Sequence, residues 1–320
     1  MGLLTNVQTT VVRARRAIIY RGHFNIFSSD SDIKQITVVL TPIHTPTLNP
    51  LCYSINYYWS MSLGRAFLVL AEAIGYHIAS SPPNKTPQKG RYDNDHPWYI
   101  RIAVLVFTVQ QPLVWLCALA DILLSVAEQG YFPLSIKSSN HLKSTFCPHP
   151  VGIDREPEFH ILPIPRTLTP LPSPNIHLTP VFVAGIFFAL LGATIRATCF
   201  RTLGRFFTFD LTIMESHKLV RSGPYNIVRH PAYTGSLFMI FGICLANLTK
   251  GGWITECGVM GSGDLSLFLR MTIFAGLWGW WLAVGVHRAG AEDKELKKLF
   301  GKDWDAYARE VKWWFFPGLL

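Results

Sequence analysis

The sequence predicts an all-α fold: a polytopic bundle of about five to seven membrane helices, closed by amphipathic helices at a cytosolic C-terminus. Three observations carry that expectation. Hydrophobic residues make up 49% of the 320 and charged residues only 15%, against roughly 25% charged in soluble domains. Several apolar runs approach or exceed the ~20 residues that a helix needs to cross a bilayer. The basic residues behind the net charge of +9 gather between those runs, as cytoplasmic loops facing anionic lipid require. Membrane lipid is therefore the expected partner of the positive charge, and nucleic acid is not.

Residues 1–60 read as a poorly ordered extension and 61–320 as the membrane domain. Arg13, Arg15, Arg16 and Arg21 precede the first acid, Asp30, and no apolar run before Met61 is long enough to span. Leu63 to Ala79 is a first, short membrane segment with Arg65, Glu72 and His77 inside it, so one face should turn into the bundle. Tyr99 to Ala127 would measure roughly 43 Å as a straight helix. With Gln110-Gln111-Pro112 in its middle, it reads either as one helix kinked at the proline or as a re-entrant hairpin. Gln129 to Thr179, rich in Pro, Ser and His, reads as an extended connection.

Val181 to Phe200 is a spanning helix, with Arg196 placed to snorkel to the interface and Arg201 and Arg205 marking the cytoplasmic side. Tyr233 to Leu248 spans marginally, the Gly-rich Lys250–Gly263 segment turns, and Leu265 to Val286 returns. Two crossings put His217–Arg229 and Arg288–Leu320 on one face, expected to be cytosolic, and the Lys250–Asp264 turn on the other, expected to be lumenal. The sequon Asn84-Lys85-Thr86 reports on the earlier loop, whose side the Pro112 ambiguity leaves open. Six scattered cysteines show no zinc spacing and no legible disulfide framework, so no metal is expected.

The chain is organised around His217–Gly235, polar and basic between two apolar segments. Gly223-Pro224 predicts a turn, because glycine tolerates positive φ and proline restricts its own φ and its predecessor. Pro231 suits the first turn of a helix beginning near His230, whose free N–H groups beside Arg229 would suit a carboxylate. Taken alone, this is an ordinary topogenic flank.

A second polar cluster follows the last apolar run. Arg288 and Glu292 are four apart and share a helix face, ahead of an apolar stripe of Leu296, Leu299 and Phe300 that stops at Gly301. Trp304, Tyr307, Ala308 and Val311 repeat the pattern as a second amphipathic helix. Alone, these would be two helices lying on the bilayer with a surface ion pair worth a few tenths of a kcal/mol.

Together the two clusters resemble the isoprenylcysteine carboxyl methyltransferase family, and more broadly the membrane methyltransferases that include phospholipid methylators. The resemblance runs from about Arg201 to Pro317, on Leu-Val-x-x-Gly-Pro-Tyr-x-x-x-Arg-His-Pro-x-Tyr-x-Gly and on Arg-x-x-x-Glu…Phe-Gly, in that order and spacing. It implies a helix bundle whose cytosolic ends clamp S-adenosylmethionine as cofactor. His217, Lys218, Leu219, Val220, Tyr225, His230, Pro231, Ala232 and Tyr233 would line that pocket. Glu292 would hold the cofactor's amino group, and Arg288, the catalytic residue, the substrate carboxylate. Asp210 stands where animal members carry a cofactor-contacting Gln, and Ala232 replaces a common Ser. The implied substrates are prenylated CaaX proteins, and the implied location is the endoplasmic reticulum membrane with the motifs facing the cytosol.

These residue types suit carboxyl methylation. A carboxylate is already ionised at neutral pH and needs no general base, so orientation supplies much of the catalysis. Arg grips a carboxylate bidentately, as Lys does not. No Gly-x-Ser-x-Gly elbow exists for His230 to serve, and Gly261-Ser262-Gly263 lacks the preceding strand of a dinucleotide fold. Three alternatives stand beside this one: a phospholipid N-methyltransferase, an NADPH-dependent membrane sterol reductase, and a non-catalytic scaffold that would not need Glu292. An amine acceptor would gain nothing from Arg288.

Overall fold

The structure, a computed structural model, describes residues 20–27, 35–42, 51–54, 59–84, 102–129, 135–151, 171, 173–209 and 218–319. The chain divides into two compact units, Met1–Met61 and Ser62–Leu320. In the first, β1 (Tyr20–Phe27), β2 (Gln35–Pro42) and β3 (Leu51–Ser54) form an antiparallel meander in the order β1-β2-β3. Tyr20 pairs with Pro42 and Thr37 with Ser54. These strands fall within residues 1–60, the segment read from the sequence as an extension. Ile36-Thr37-Val38-Val39 supplies the β-branched run that favours them.

The second unit is all-helical in its described residues: α1 (Trp59–Ser80), α2 (Ala103–Gln129), α3 (Ile136–Phe146), α4 (Pro180–Leu203), α5 (Pro231–Leu248), the short α6 (Trp253–Glu256), α7 (Gly263–Phe300) and α8 (Lys302–Glu310). Among the described residues four helices are long and apolar enough to cross a membrane, α2, α4, α5 and α7. α1 runs between the same two ends of the bundle. At one end the Arg65 guanidinium donates to His177 O (2.9 Å) and pairs with Asp121 (2.9 Å), while at the other the Ala79 carbonyl accepts from Arg196 Nε (2.7 Å). Arg65 and Glu72 thus turn inward, Glu72 accepting from Asn247 at 3.0 Å, whereas His77 is exposed.

The Pro112 ambiguity resolves in favour of one helix, since α2 is continuous through the proline. The connection after it is not structureless. Ser135 caps α3 by accepting from Ser138 N at 3.2 Å, and a disulfide joins Cys147 to Cys257 in the turn between α5 and α7. No disulfide framework was expected, because the two cysteines lie 110 residues apart and form no local spacing. α7 corrects the tail as well: the returning span and the Arg288–Phe300 segment are one helix, stopped at Gly301 (φ 52°).

α4 and α5 make the tightest pair. A Cβ at Gly192 would collide with backbone of Gly235 and Met239, and one at Gly242 with backbone of Ala189 and Gly185. Small residues on both helices bring the two backbones together where lipid offers no hydrophobic drive for association. That contact fixes the α5 N-terminus against the end of α4, which is where the cavity lies.

Candidate functional site

At one end of the bundle a cavity of about 180 Å³ opens between α4, the Lys218–Tyr233 stretch, α7 and α8. Lys218, Leu219, Val220, Tyr225, His230, Ala232, Tyr233, Arg288 and Glu292 all line it. Pro231 does not; it is buried at the first turn of α5. His217 and Asp210 lie outside the described residues. The Gly223-Pro224 turn forms with Gly223 at φ 61° and leads into a 3-10 turn, Gly223–Asn226, that buries Tyr225.

His230 is the N-cap of α5, as the proline spacing predicts. The chain after α8 folds back over it, and the amides of Arg229 and His230 donate to the carbonyls of Trp313 and Trp314, both at 2.9 Å. The ring itself bridges two acids of α7. Nδ1 lies 3.2 Å from Glu292 Oε2 and Nε2 lies 2.9 Å from Asp293 Oδ1. The Tyr233 hydroxyl donates to the other Glu292 oxygen. Burial opposes the imidazolium, yet the hydrogen bonds and charges of Asp293 and Glu292 outweigh it and raise the His230 pKa to about 9. Glu292 is therefore gripped from α5, which the surface pair on one helix does not explain.

The opposite pole is aromatic. Phe107, Phe209 and Trp281 line it, with the Phe107 and Trp281 ring centroids 4.1 Å apart. Two guanidinium groups border the same space. Arg288 donates to the Phe209 carbonyl. Arg196, expected to snorkel outward, instead points into the bundle and is only 4% exposed. It donates to Ser236 Oγ at 2.6 Å and lies 5.2 Å from the Phe107 centroid and 5.3 Å from that of Phe209. Its acceptors sit on α1 and α5, so local hydropathy along α4 could not show where it points.

Tyr307 was read from the sequence as part of the stripe of the second amphipathic helix. Here it is buried, lines the cavity and donates to Tyr225 O at 2.8 Å. α8 thus packs onto the central stretch. Asp293 and Trp314 were also missed; an acid next to Glu292 was the available signal for the first.

Residues 180–260 match the family model described as phospholipid methyltransferase. The chain is 30% identical over 129 residues to protein-S-isoprenylcysteine O-methyltransferase B of Arabidopsis thaliana, covering 40% of this chain and 55% of that protein. It is 27% identical over 133 residues to a protein of Oryza sativa subsp. japonica named "Probable protein-S-isoprenylcysteine O-methyltransferase", covering 41% and 59%. The chain resembles the isoprenylcysteine carboxyl methyltransferase family.

Both comparisons bear out the resemblance read from the motifs, within the wider group of membrane methyltransferases. The matches span little more than half the length of these methyltransferase relatives. A Delta(14)-sterol reductase of Ascobolus immersus is also similar, 28% identical over 109 residues, covering 34% of this chain and 21% of that protein. The phospholipid methyltransferase match covers α4 to α6 and stops before α7, so it includes Tyr225, His230 and Tyr233 but neither Arg288 nor Glu292.

Proposed function

We propose that the protein methylates the C-terminal carboxylate of an isoprenylated cysteine, using S-adenosylmethionine, at a membrane. One observation carries this reading. The cavity joins an acid–imidazole–phenol pole, Glu292–His230–Tyr233, to an aromatic pole, with Arg196 and Arg288 bordering the space between. An amino-acid headgroup, an anionic acceptor and an apolar chain would each meet matching chemistry.

The donor set fits the cofactor. Glu292, oriented by His230 and Tyr233, would take its ammonium group, and Leu219, Val220 and Ala232 offer an apolar wall. Bound there, the cofactor supplies an electrophilic methyl on a cationic sulfur. Arg288 would hold the acceptor carboxylate by a bidentate grip and Arg196 would lend it a second positive charge. Phe107, Phe209 and Trp281 would take the isoprenoid and exclude water. The carboxylate needs no base, so alignment of the oxygen with the methyl is the main task left to the protein.

A phospholipid acceptor is the second reading, favoured by the family model across α4 to α6. Two guanidinium groups beside the reacting space oppose an amine there. The sterol reductase reading would need NADPH where Glu292 stands.

The cavity end would face the cytosol of the endoplasmic reticulum, and prenylated CaaX proteins would be the substrates. The Cys147–Cys257 disulfide supports that orientation, because it lies at the other end of the bundle and disulfides persist on oxidising sides. The deciding experiment is methyl transfer from labelled cofactor to a farnesylcysteine analogue and to phosphatidylethanolamine, by membranes containing the protein. Transfer to the first and not the second is expected; the reverse result would replace the carboxyl reading with the phospholipid one.

A further inference from the structure

Asp293 does not line the cavity; it lies behind the wall that Glu292 and His230 form. Its two oxygens are nevertheless the meeting point of three elements. Oδ1 faces His230 Nε2 at 2.9 Å, and Oδ2 accepts from Trp314 Nε1 at 2.9 Å and lies 3.2 Å from Arg229 Nη1. The Trp314 segment is held independently of that contact. Its backbone carbonyls take the amides of Arg229 and His230, and Phe315 O accepts from Thr234 Oγ1 at 2.8 Å. Phe315 is fully buried.

We propose that Asp293 is a positioning residue for the cofactor pocket: it fixes the His230 ring and through it the Glu292 carboxylate, and is itself fixed by the Trp314 indole of the C-terminal segment. This rests on the cofactor reading above. Asp293 reaches the cavity wall through Arg229 and through His230, and it is the His230 contact that leads on to Glu292. With a carboxylate oxygen facing each ring nitrogen, the ring is held as the imidazolium, Nε2–H donating to Asp293 and Nδ1–H to Glu292, which is the state that holds the Glu292 carboxylate in place. A neutral ring without Asp293 could present a bare Nδ1 to Glu292 and push it away.

Among the described residues, the groups facing the ring are few. From α7 come Glu292 and Asp293, with Arg288 one turn earlier; from α5, Tyr233; Arg229 precedes it in the chain; the C-terminal segment offers only Trp314 and Phe315, which do not titrate. Among the described residues, the two acids hold the proton on the imidazole and keep its pKa near 9. Removing the Asp293 charge should bring the titration down into the neutral range.

The test is S-adenosylhomocysteine affinity of purified protein at about pH 6 and about pH 8, for wild type, Asp293→Asn, Asp293→Glu and Trp314→Phe. Wild type should change less than about twofold between the two, and Asp293→Asn should weaken about tenfold on going to the higher pH. Asp293→Glu should restore the flat profile, and Trp314→Phe should show the same sign at about threefold. A flat Asp293→Asn profile with wild-type affinity would overturn the proposal. If that variant fails to fold, Trp314→Phe decides, and wild-type affinity in it at both pH values overturns the proposal. Wild-type protein that does not bind the ligand at all would instead overturn the cofactor reading, which separates the two failures.

Discussion

His230 Nδ1 lies 3.2 Å from Glu292 Oε2, joining the N-cap of α5 to the C-terminal part of α7. Glu292 is thus an acid of the cavity wall whose orientation is set from a second helix, and its removal should cost binding before it costs structure. Glu292→Ala should lower S-adenosylhomocysteine affinity by about 10- to 100-fold, the worth of one charged hydrogen bond. Calorimetry on detergent-purified protein would show it. Affinity within a factor of two of wild type would return Glu292 to a structural pair.

The sign of the His230 titration gives a second expectation. Its folded pKa of about 9 lies above the ordinary 6.5, so its contribution to stability is fully present below about pH 6.5 and is lost as pH rises through about 9. The thermal midpoint of wild type should therefore fall between pH 7 and about 9.5 by more than that of His230→Gln, which lacks the titrating group. Parallel curves for the two proteins would show that the imidazolium is not what holds α5 to α7.

Much of this end of the bundle was readable in the sequence, and what was readable is local. Gly223, Pro231 and Gly301 mark a turn, a helix start and a helix stop by rules that act over a few residues, and the Arg288/Glu292 spacing fixes a shared face. What escaped depends on partners far along the chain. Arg196 finds Ala79 and Ser236, Trp314 finds Asp293 across the fold-back, and Cys147 finds Cys257. Hydropathy along α4 sees an arginine near a helix end and reads an interface; only the packing of α1 and α5 against it shows a buried one.

The α4–α5 contact should be intolerant of any side chain at its centre. Gly242 approaches the backbone of Ala189 and Gly185, so Gly242→Val must part the two helices and with them the cavity wall. A loss of about 2–4 kcal/mol is expected from overpacking and separation of well-packed helices. Reduced thermal midpoint and lost ligand binding should appear together. A variant that keeps its midpoint would show that the contact is looser than the backbone spacing implies.

Orientation can be tested at both ends of the bundle. Lys250 lies at the disulfide end and Lys294 at the cavity end, both exposed. In intact microsomes Lys294→Cys should react with an impermeant maleimide and Lys250→Cys only after permeabilisation. Asn84 donates to the carbonyls of Gly204 (2.8 Å) and Phe207 (3.0 Å), which places that asparagine at the cavity end, so it should carry no glycan. Labelling of the two cysteines from the same side would contradict the bundle itself.

Arg288 and Arg196 border the same space but should fail differently when changed. Arg196 is nearly fully buried, and its guanidinium satisfies backbone and hydroxyl acceptors on two neighbouring helices. Replacing it should disturb the fold as well as the reaction. Arg288 is only partly buried and donates to the Phe209 carbonyl at the cavity edge. Arg288→Lys keeps the charge and loses the planar fork, so the acceptor carboxylate should be held less well aligned with the methyl. Turnover should fall by at least about tenfold, roughly 1.4 kcal/mol of transition-state stabilisation, with S-adenosylhomocysteine affinity changed much less. Steady-state methylation of a farnesylcysteine analogue beside a binding isotherm separates the two quantities. Near-normal turnover in the Lys variant would remove Arg288 from the acceptor site, and a phospholipid amine would then be the acceptor to pursue.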